Sequence, residues 1–525
     1  MSKYKPTNVT NYGISLEEIE AVNAQISDYE DTIASIESKI QGVLRQANAL
    51  RAQRQHYMDL ISKCRGTITL VRRAPDEILA HIFEYCAATG WAKAPLVASH
   101  VCSKWRRAAL APKVWSYIYL TSESRDPLQR MQLWLSRALK SDLHVTIDAQ
   151  VVDAPFLLAM DLLLEHITQW RSLTLEARFV QQARYLLDRC TGQANQLQAV
   201  TIRAFAAALD GEDGAEGLTG LREAFERSAH LQTLHIISNS FPSALPIQIS
   251  DLSMELGTFP LGPISVDNML ETIAELPSLE RLTLVAPNNF SASLLPNEQN
   301  PPTQLSSLRT LFLEGYPDFN QILRYIETPI LRHLHLRSTE PPLNFPHEST
   351  GVALRSFIGS SRPPLKLLEF HDIDIPHSDF TYCFLNLPLL EELRLHETEI
   401  PNEVLSLLNG PDGACPRLKR LNLRWCEQLS GKTLVDLVES RSIATYQEGH
   451  SDPIQDVTVI NCALVEEEDV LAMARKTTCS VVVRDLQDHC RLRGCCNNAR
   501  YRQRLRFRHR MDLEGGDRSI HLILD

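Results

Sequence analysis

In the first sixty-odd residues, apolar side chains return at every seventh position in two parallel series. One runs Ile19, Ile26, Ile33, Ile40, Ala47, Arg54, Ile61; the other, three residues later, runs Val22, Tyr29, Ile36, Val43, Leu50, Tyr57. Alternating steps of three and four place both series along one narrow side of a helix, the pattern of a coiled coil. Ser15 can cap the first turn, Glu18 can reach back to it, and Ile14 can staple onto Ile19. No proline interrupts the run. The spacing predicts one long helix over 15–65, preceded by a polar, disordered N-terminus at 1–14. Such a stripe either self-associates, pairs with a partner helix, or lies on the body of its own chain. Arg54 in the seam weakens its last heptads.

Beyond Gly66 the apolar spacing predicts three short amphipathic helices within 70–120. Pro75 suits a first helical turn, with Asp76 and Glu77 at the positive end of the helix dipole. Ile78, Leu79, Ile82 and Phe83 follow on one face. A small-residue loop around Gly90 leads to a second helix, opened by Pro95 and carrying Leu96, Val97 and Val101. Trp105, Leu110 and Trp115 come at spacings that let three large side chains share one small core. A unit of about 45 residues cannot bury all of its apolar surface, which leaves some for a partner.

From 125 to 485, helical patterns alternate with a short strand written L-x-x-L-x-L. The clearest copies are Leu231-Leu234-Ile236, Leu279-Leu282-Leu284, Leu308-Leu311-Leu313, Leu331-Leu334-Leu336, Leu390-Leu393-Leu395 and Leu418-Leu421-Leu423. Weaker ones are Leu197-Val200-Ile202, Leu365-Leu368-Phe370 and Ile454-Val457-Val459. Helices are predicted between them at Val266 to Ala274, Asn402 to Leu408 and Lys432 to Glu439. One repeat cannot bury its own leucines, so stacked neighbours must, and the pattern predicts a parallel solenoid of the α+β or α/β class. A sandwich of helices and mixed sheet is the alternative. Spacing is irregular, and Asn289 to Ser306 is a long polar insertion. The residues between the leucines would line the concave side: His235, Arg281, Phe312, His333, His335, Arg394 and Arg420 are the candidates for target contact. Singly, each is equally well a solvated strand position; as a set they describe a polar face suited to a protein target with some acidic groups.

Three stretches carry a family resemblance. Arg73-Ala74-Pro75-Asp76-Glu77-Ile78-Leu79 with Ile82-Phe83, then Leu96 through Arg106, then Ala109 through Trp115, resemble the opening, middle and end of an F-box. A preceding coiled coil and trailing leucine-rich segments are similar to fungal F-box-like proteins. Arg424-Trp425-Cys426-Glu427-Gln428-Leu429 resembles the cysteine-containing repeats of F-box leucine-rich proteins. The resemblance implies a substrate receptor without catalytic residues or cofactor. Its F-box would dock on a Skp adaptor through Pro75, Ile78, Leu79, Ile82, Phe83, Leu96, Val101, Cys102, Trp105 and Trp115, and that adaptor would join it to a cullin scaffold. Ala74 stands where the family usually has leucine.

Composition narrows the setting. The 525 residues are 44% hydrophobic and 22% charged, enough for several domains with large cores. No apolar run approaches the roughly 20 residues that span a bilayer, and the polar start lacks a signal core. Twelve cysteines, mostly scattered singly, then read as reduced thiols, which points to cytoplasm or nucleus. Net charge is −11, yet 490–510 holds eight arginines and no acid, so the rest of the chain carries −19. The basic tail, 486–525, either neutralises that acidic remainder or contacts phosphate; the overall acidity argues for the former. No phosphate loop, nucleophile elbow or metalloprotease helix is present. Asp210-Gly211-Glu212-Asp213-Gly214 lacks calcium-loop spacing. Cys490, Cys495, Cys496 and His509 match no common zinc pattern, so no metal site is assigned.

Overall fold

The computed structural model describes residues 16–68 and 70–483, apart from 124, 191–193, 206–217, 258–265, 287–300, 340–347, 411, 427, 442–450, 461, 463 and 477–479, together with 523–524. The N-terminus at 1–14, the acidic stretch 210–214 and the group Cys490, Cys495, Cys496 and His509 lie outside the described residues, as does the basic tail apart from 523–524. The chain divides into two compact units, 1–79 and 80–525.

The first unit is dominated by α1 (Leu16–Ile68), 53 residues long. Glu17 and Glu18 in its first turn and Arg65 in its last complement the helix dipole. At 1.5 Å per residue it extends about 80 Å. Every large apolar member of the two seven-residue series is exposed along it. A single turn, α2 (Leu70–Arg73), follows.

Helix α3 (Asp76–Ala88) begins directly after Pro75. Next come α4 (Ala94–Val101), with Pro95 in its first turn, and α5 (Ser103–Ala108). Cys102, in extended conformation, breaks the chain between them. The three helices are those the spacing predicts. The 80–120 segment, however, runs into the sheet without a break. After a 3-10 turn at Pro112–Trp115, Tyr117–Thr121 is already a strand, β1, paired in parallel with β2 (Leu143–Ala149). The first repeat therefore begins inside the segment assigned to the short helices. Tyr119 Oη donates to Ala87 O at 2.7 Å, Arg130 Nη2 donates to Ala92 O at 3.3 Å, and the Trp115 and Trp134 rings meet edge to face at 5.1 Å.

Among the described residues the strands continue in sequence order across one fifteen-stranded sheet. They are β3 (Trp170–Phe179), β4 (Ala199–Phe205), β5 (Thr233–Ser238), β6 (Asp251–Leu256), β7 (Arg281–Val285), β9 (Thr310–Gly315), β11 (His333–Ser338), β12 (Leu367–His371), β13 (Glu392–His396), β14 (Arg420–Arg424), β15 (Asp456–Ile460), β16 (Ser480–Val483) and β17 (Ile523–Leu524). Among the described residues only the last pairing of this sheet, β16 with β17, is antiparallel. Within the 289–306 insertion, β8 (Thr303–Gln304) pairs separately with β10 (Ile326–Glu327). Parallel strands need crossovers, and short helices such as Val266–Ala274 and Gly431–Ser440 supply them.

The register explains why the leucine pattern repeats. Leu234, Leu252, Leu282, Leu311, Leu334, Leu368, Leu393 and Leu421 stand side by side on successive strands. All are buried, as are the leading residues Leu231, Leu279, Leu308, Leu331, Leu390 and Leu418. A one-residue slip would turn every one of them to the other face, so the burial fixes the pairing. Three successive strands end in the same way: Asp372, Glu397 and Trp425 adopt left-handed backbone, and each amide donates to the last carbonyl of the next strand (2.8, 2.7 and 2.9 Å). That conformation costs a non-glycine residue steric strain, and the repeated hydrogen bond offsets it.

Candidate protein-interaction surfaces

Two surfaces stand out, one on the short helices and one on the sheet. On α3 the burial splits into two stripes. Leu79, Phe83 and Ala87, at helical spacing, are buried; Ile78, Ile82 and Tyr85, on another side of the same helix, are exposed. Phe83 meets the Trp105 ring at 4.9 Å, and the buried Trp115 indole donates to Ala109 O at 2.6 Å. Both contacts hold the helices rigidly beneath the surface they present.

The residues assigned to adaptor binding thus fall into three groups. Pro75, Ile78, Ile82, Val101 and Cys102 are exposed, Leu96 and Trp105 are half-buried, and Leu79, Phe83 and Trp115 belong to the core. The last three shape a surface that they do not offer. Ile82 keeps 46% and Val101 55% of its area in water. Sequence reading left Tyr85, Trp91, Val97 and Leu110 off the contact surface, yet all four are exposed, Tyr85 by 69%. Tyr85 was legible in principle, because it falls three residues after Ile82 and off the Leu79–Phe83 stripe.

On the sheet, the residues between the leucines form adjacent columns of one face. His235, Phe312, His335 and Arg394 share a column, and Arg281, His333 and Arg420 occupy the next. Neighbouring strands bring carboxylates beside them; Glu392 is legible in the sequence as a residue of this face, whereas Glu255, Asp251 and Glu369 are not. Glu255 lies 3.2 Å from His235, Asp251 2.8 Å from Arg281, and Glu392 2.8 Å from Arg420. Glu369, 2% exposed, accepts from His335 Nδ1 at 3.0 Å, Arg337 Nη2 at 2.9 Å and Arg394 Nη1 at 3.4 Å. Arg337 also lies 4.8 Å over the Phe312 ring. Burial alone would push the Glu369 carboxyl up; the hydrogen bonds from His335 and Arg337 and the charge of Arg337 outweigh it and hold the group far below the usual range. Burial likewise pulls His333 down, with His335 and Arg332 nearby adding to the effect. The face is therefore a mosaic of internally paired charges, not a patch of free cations.

Among the described residues no helix is long and apolar enough to cross a membrane, and no cluster of His, Cys, Asp and Glu is placed to hold a metal. Compared with known families, residues 74–121 match the F-box-like family. A search of curated proteins found no match.

Proposed function

We propose that this chain is the substrate-recognition subunit of an SCF-type ubiquitin ligase. In this reading the F-box-like segment binds a Skp adaptor, which joins a cullin scaffold, and the sheet face binds the target protein. The chain contributes proximity alone: holding a target lysine beside a charged conjugating enzyme replaces a bimolecular encounter. The reading fits a cytoplasmic or nuclear protein without cofactor.

The observation that carries it is the set of apolar side chains left in water within the 74–121 match, Ile82, Tyr85, Val97, Val101 and Leu110, although Phe83 and Trp115 of the same stretch are buried. Burying the exposed half of one isoleucine in a partner gains about 1 kcal/mol. Five such residues supply about 5 kcal/mol before the cost of association, so the polar contacts around them must add the rest. The paired charges of the sheet face suit a polar target that exchanges some of these ion pairs for its own.

Capture of purified Skp adaptor by the full chain tests the proposal. Ile82→Glu with Val101→Glu places two carboxylates on the contact surface without touching the core, and capture should be lost while the helical circular dichroism is unchanged. Phe83 is unsuitable, since its truncation would open the core. If wild type captures no Skp adaptor, the ligase reading gives way to a non-catalytic scaffold.

A further inference from the structure

We propose that α1 is a homodimerisation device, and that two copies of this chain pair through it head to tail. The large apolar residues of the stripe, from Ile19 and Val22 to Tyr57 and Ile61, are exposed along the helix, so among the described residues its own unit does not cover this apolar seam. Its charges say what partner fits. Between 16 and 37 the helix carries seven acids and no base; between 38 and 68 it carries six bases and one acid, Asp59. The helix dipole accounts for such bias only in the first and last turns. Here it runs through both halves.

A parallel pair would set −7 beside −7 and +5 beside +5, whereas a head-to-tail pair sets each half against its opposite. Reversing one copy is a rotation about a two-fold axis perpendicular to the helices, and this charge pattern is complementary to itself only about that axis. The seam agrees. In parallel alignment each series packs against its own copy, and Arg54 meets a second Arg54. Head to tail, the two series pack against each other. Full overlap then puts Ile19 opposite the partner's Cys64, Ile40 opposite the partner's Val43, and Arg54 opposite the partner's Tyr29, whose ring face can take a guanidinium. The one cation in the stripe thereby gains a partner, and the small Ala47 faces the partner's Ile36.

The test uses the full chain carrying Ile19→Cys, with native Cys64 as its mate. Within one helix these positions are 45 residues and about 68 Å apart, so a disulfide between them can form only across two chains. Under mild oxidation, peptide mapping should find the 19–64 crosslink in a covalent dimer, and Cys64→Ser should abolish it. A second measurement uses Ile40→Asp, which lies next to the two-fold axis and is present twice; it should weaken the dimer at least about 100-fold in sedimentation. Crosslinks of 19 to 19 and 64 to 64 would overturn the orientation. A wild-type chain that sediments as a monomer at micromolar concentration would overturn the dimer itself and assign the stripe to another protein.

Discussion

Glu369 offers the sharpest test of how the sheet face is held. Replacing it by glutamine keeps the shape but removes the charge, leaving His335, Arg337 and Arg394 around a group that no longer accepts as an anion. Removing one partner of a fully buried ion pair costs about 3–5 kcal/mol. Arg337 and Arg394 keep 34% and 33% of their side-chain area in water, so solvent takes up part of the loss. We expect about 2 kcal/mol, roughly a 30-fold change in an opening equilibrium. Because each repeat leans only on its neighbours, the loss should be local. Hydrogen exchange should quicken by that factor in β11, β12 and β13 and change little in β3 or β4. The carboxyl has a folded pKa below its ordinary 4.5, so its contribution is complete above pH 4.5 and fades as the pH falls below that value. The difference between wild type and Glu369→Gln should accordingly shrink at pH 3.5. A loss under about 0.5 kcal/mol, or one indifferent to pH, would refute the claim that this carboxylate organises the face.

Two more outcomes are expected from buried groups elsewhere in the sheet unit. Arg441, 3% exposed, donates to the carbonyls of Asp452, Cys415, Pro416 and Leu418 at 2.8–3.3 Å; Arg441→Ala takes this donor from Asp452 O and Leu418 O, while Cys415 O and Pro416 O keep the backbone N–H groups of Leu418 and Asp452. We expect a loss of about 3–4 kcal/mol, read as a fall in the urea midpoint, with little rescue by lysine, which lacks the planar fork. Burial, with His371 and Arg424 adding to it, pulls the His396 ring down to about 3 from an ordinary 6.5. Above pH 6.5 both folded and unfolded chains keep it neutral; below, the unfolded chain gains a proton that the folded one refuses. Stability should fall by up to about 1.4 kcal/mol per pH unit from this ring, and His396→Phe should flatten the urea midpoint between pH 6.5 and 4.5 by that amount.

Legibility varied by element. Helix Val266–Ala274 lies where the apolar spacing puts it, and Gly431–Ser440 extends one residue past the predicted Lys432–Glu439 at each end. Strands with an explicit L-x-x-L-x-L were equally plain. Two others hid in the same pattern: Trp170-Leu173-Leu175 leads with tryptophan, and Ile249-Leu252-Met254 replaces two of the three leucines, yet all six residues are buried in the same way. The strand β1 was missed because it succeeds the short helices without any linker signal. On the candidate surfaces, Ile78, Ile82, Leu79 and Phe83 were all legible as apolar, but not which pair faces water.

The periodicities of seven, of about three and a half, and of two are properties of neighbouring residues, so they show in the chain itself: one long helix, short amphipathic helices and leucine strands all arise from local spacing. What required the folded molecule was lateral. Glu369 beside His335, Asp251 beside Arg281 and the burial of Phe83 beneath Trp105 join positions 20 or more residues apart. Which residues meet there is decided by strand register and shared burial, both collective quantities that no single segment carries.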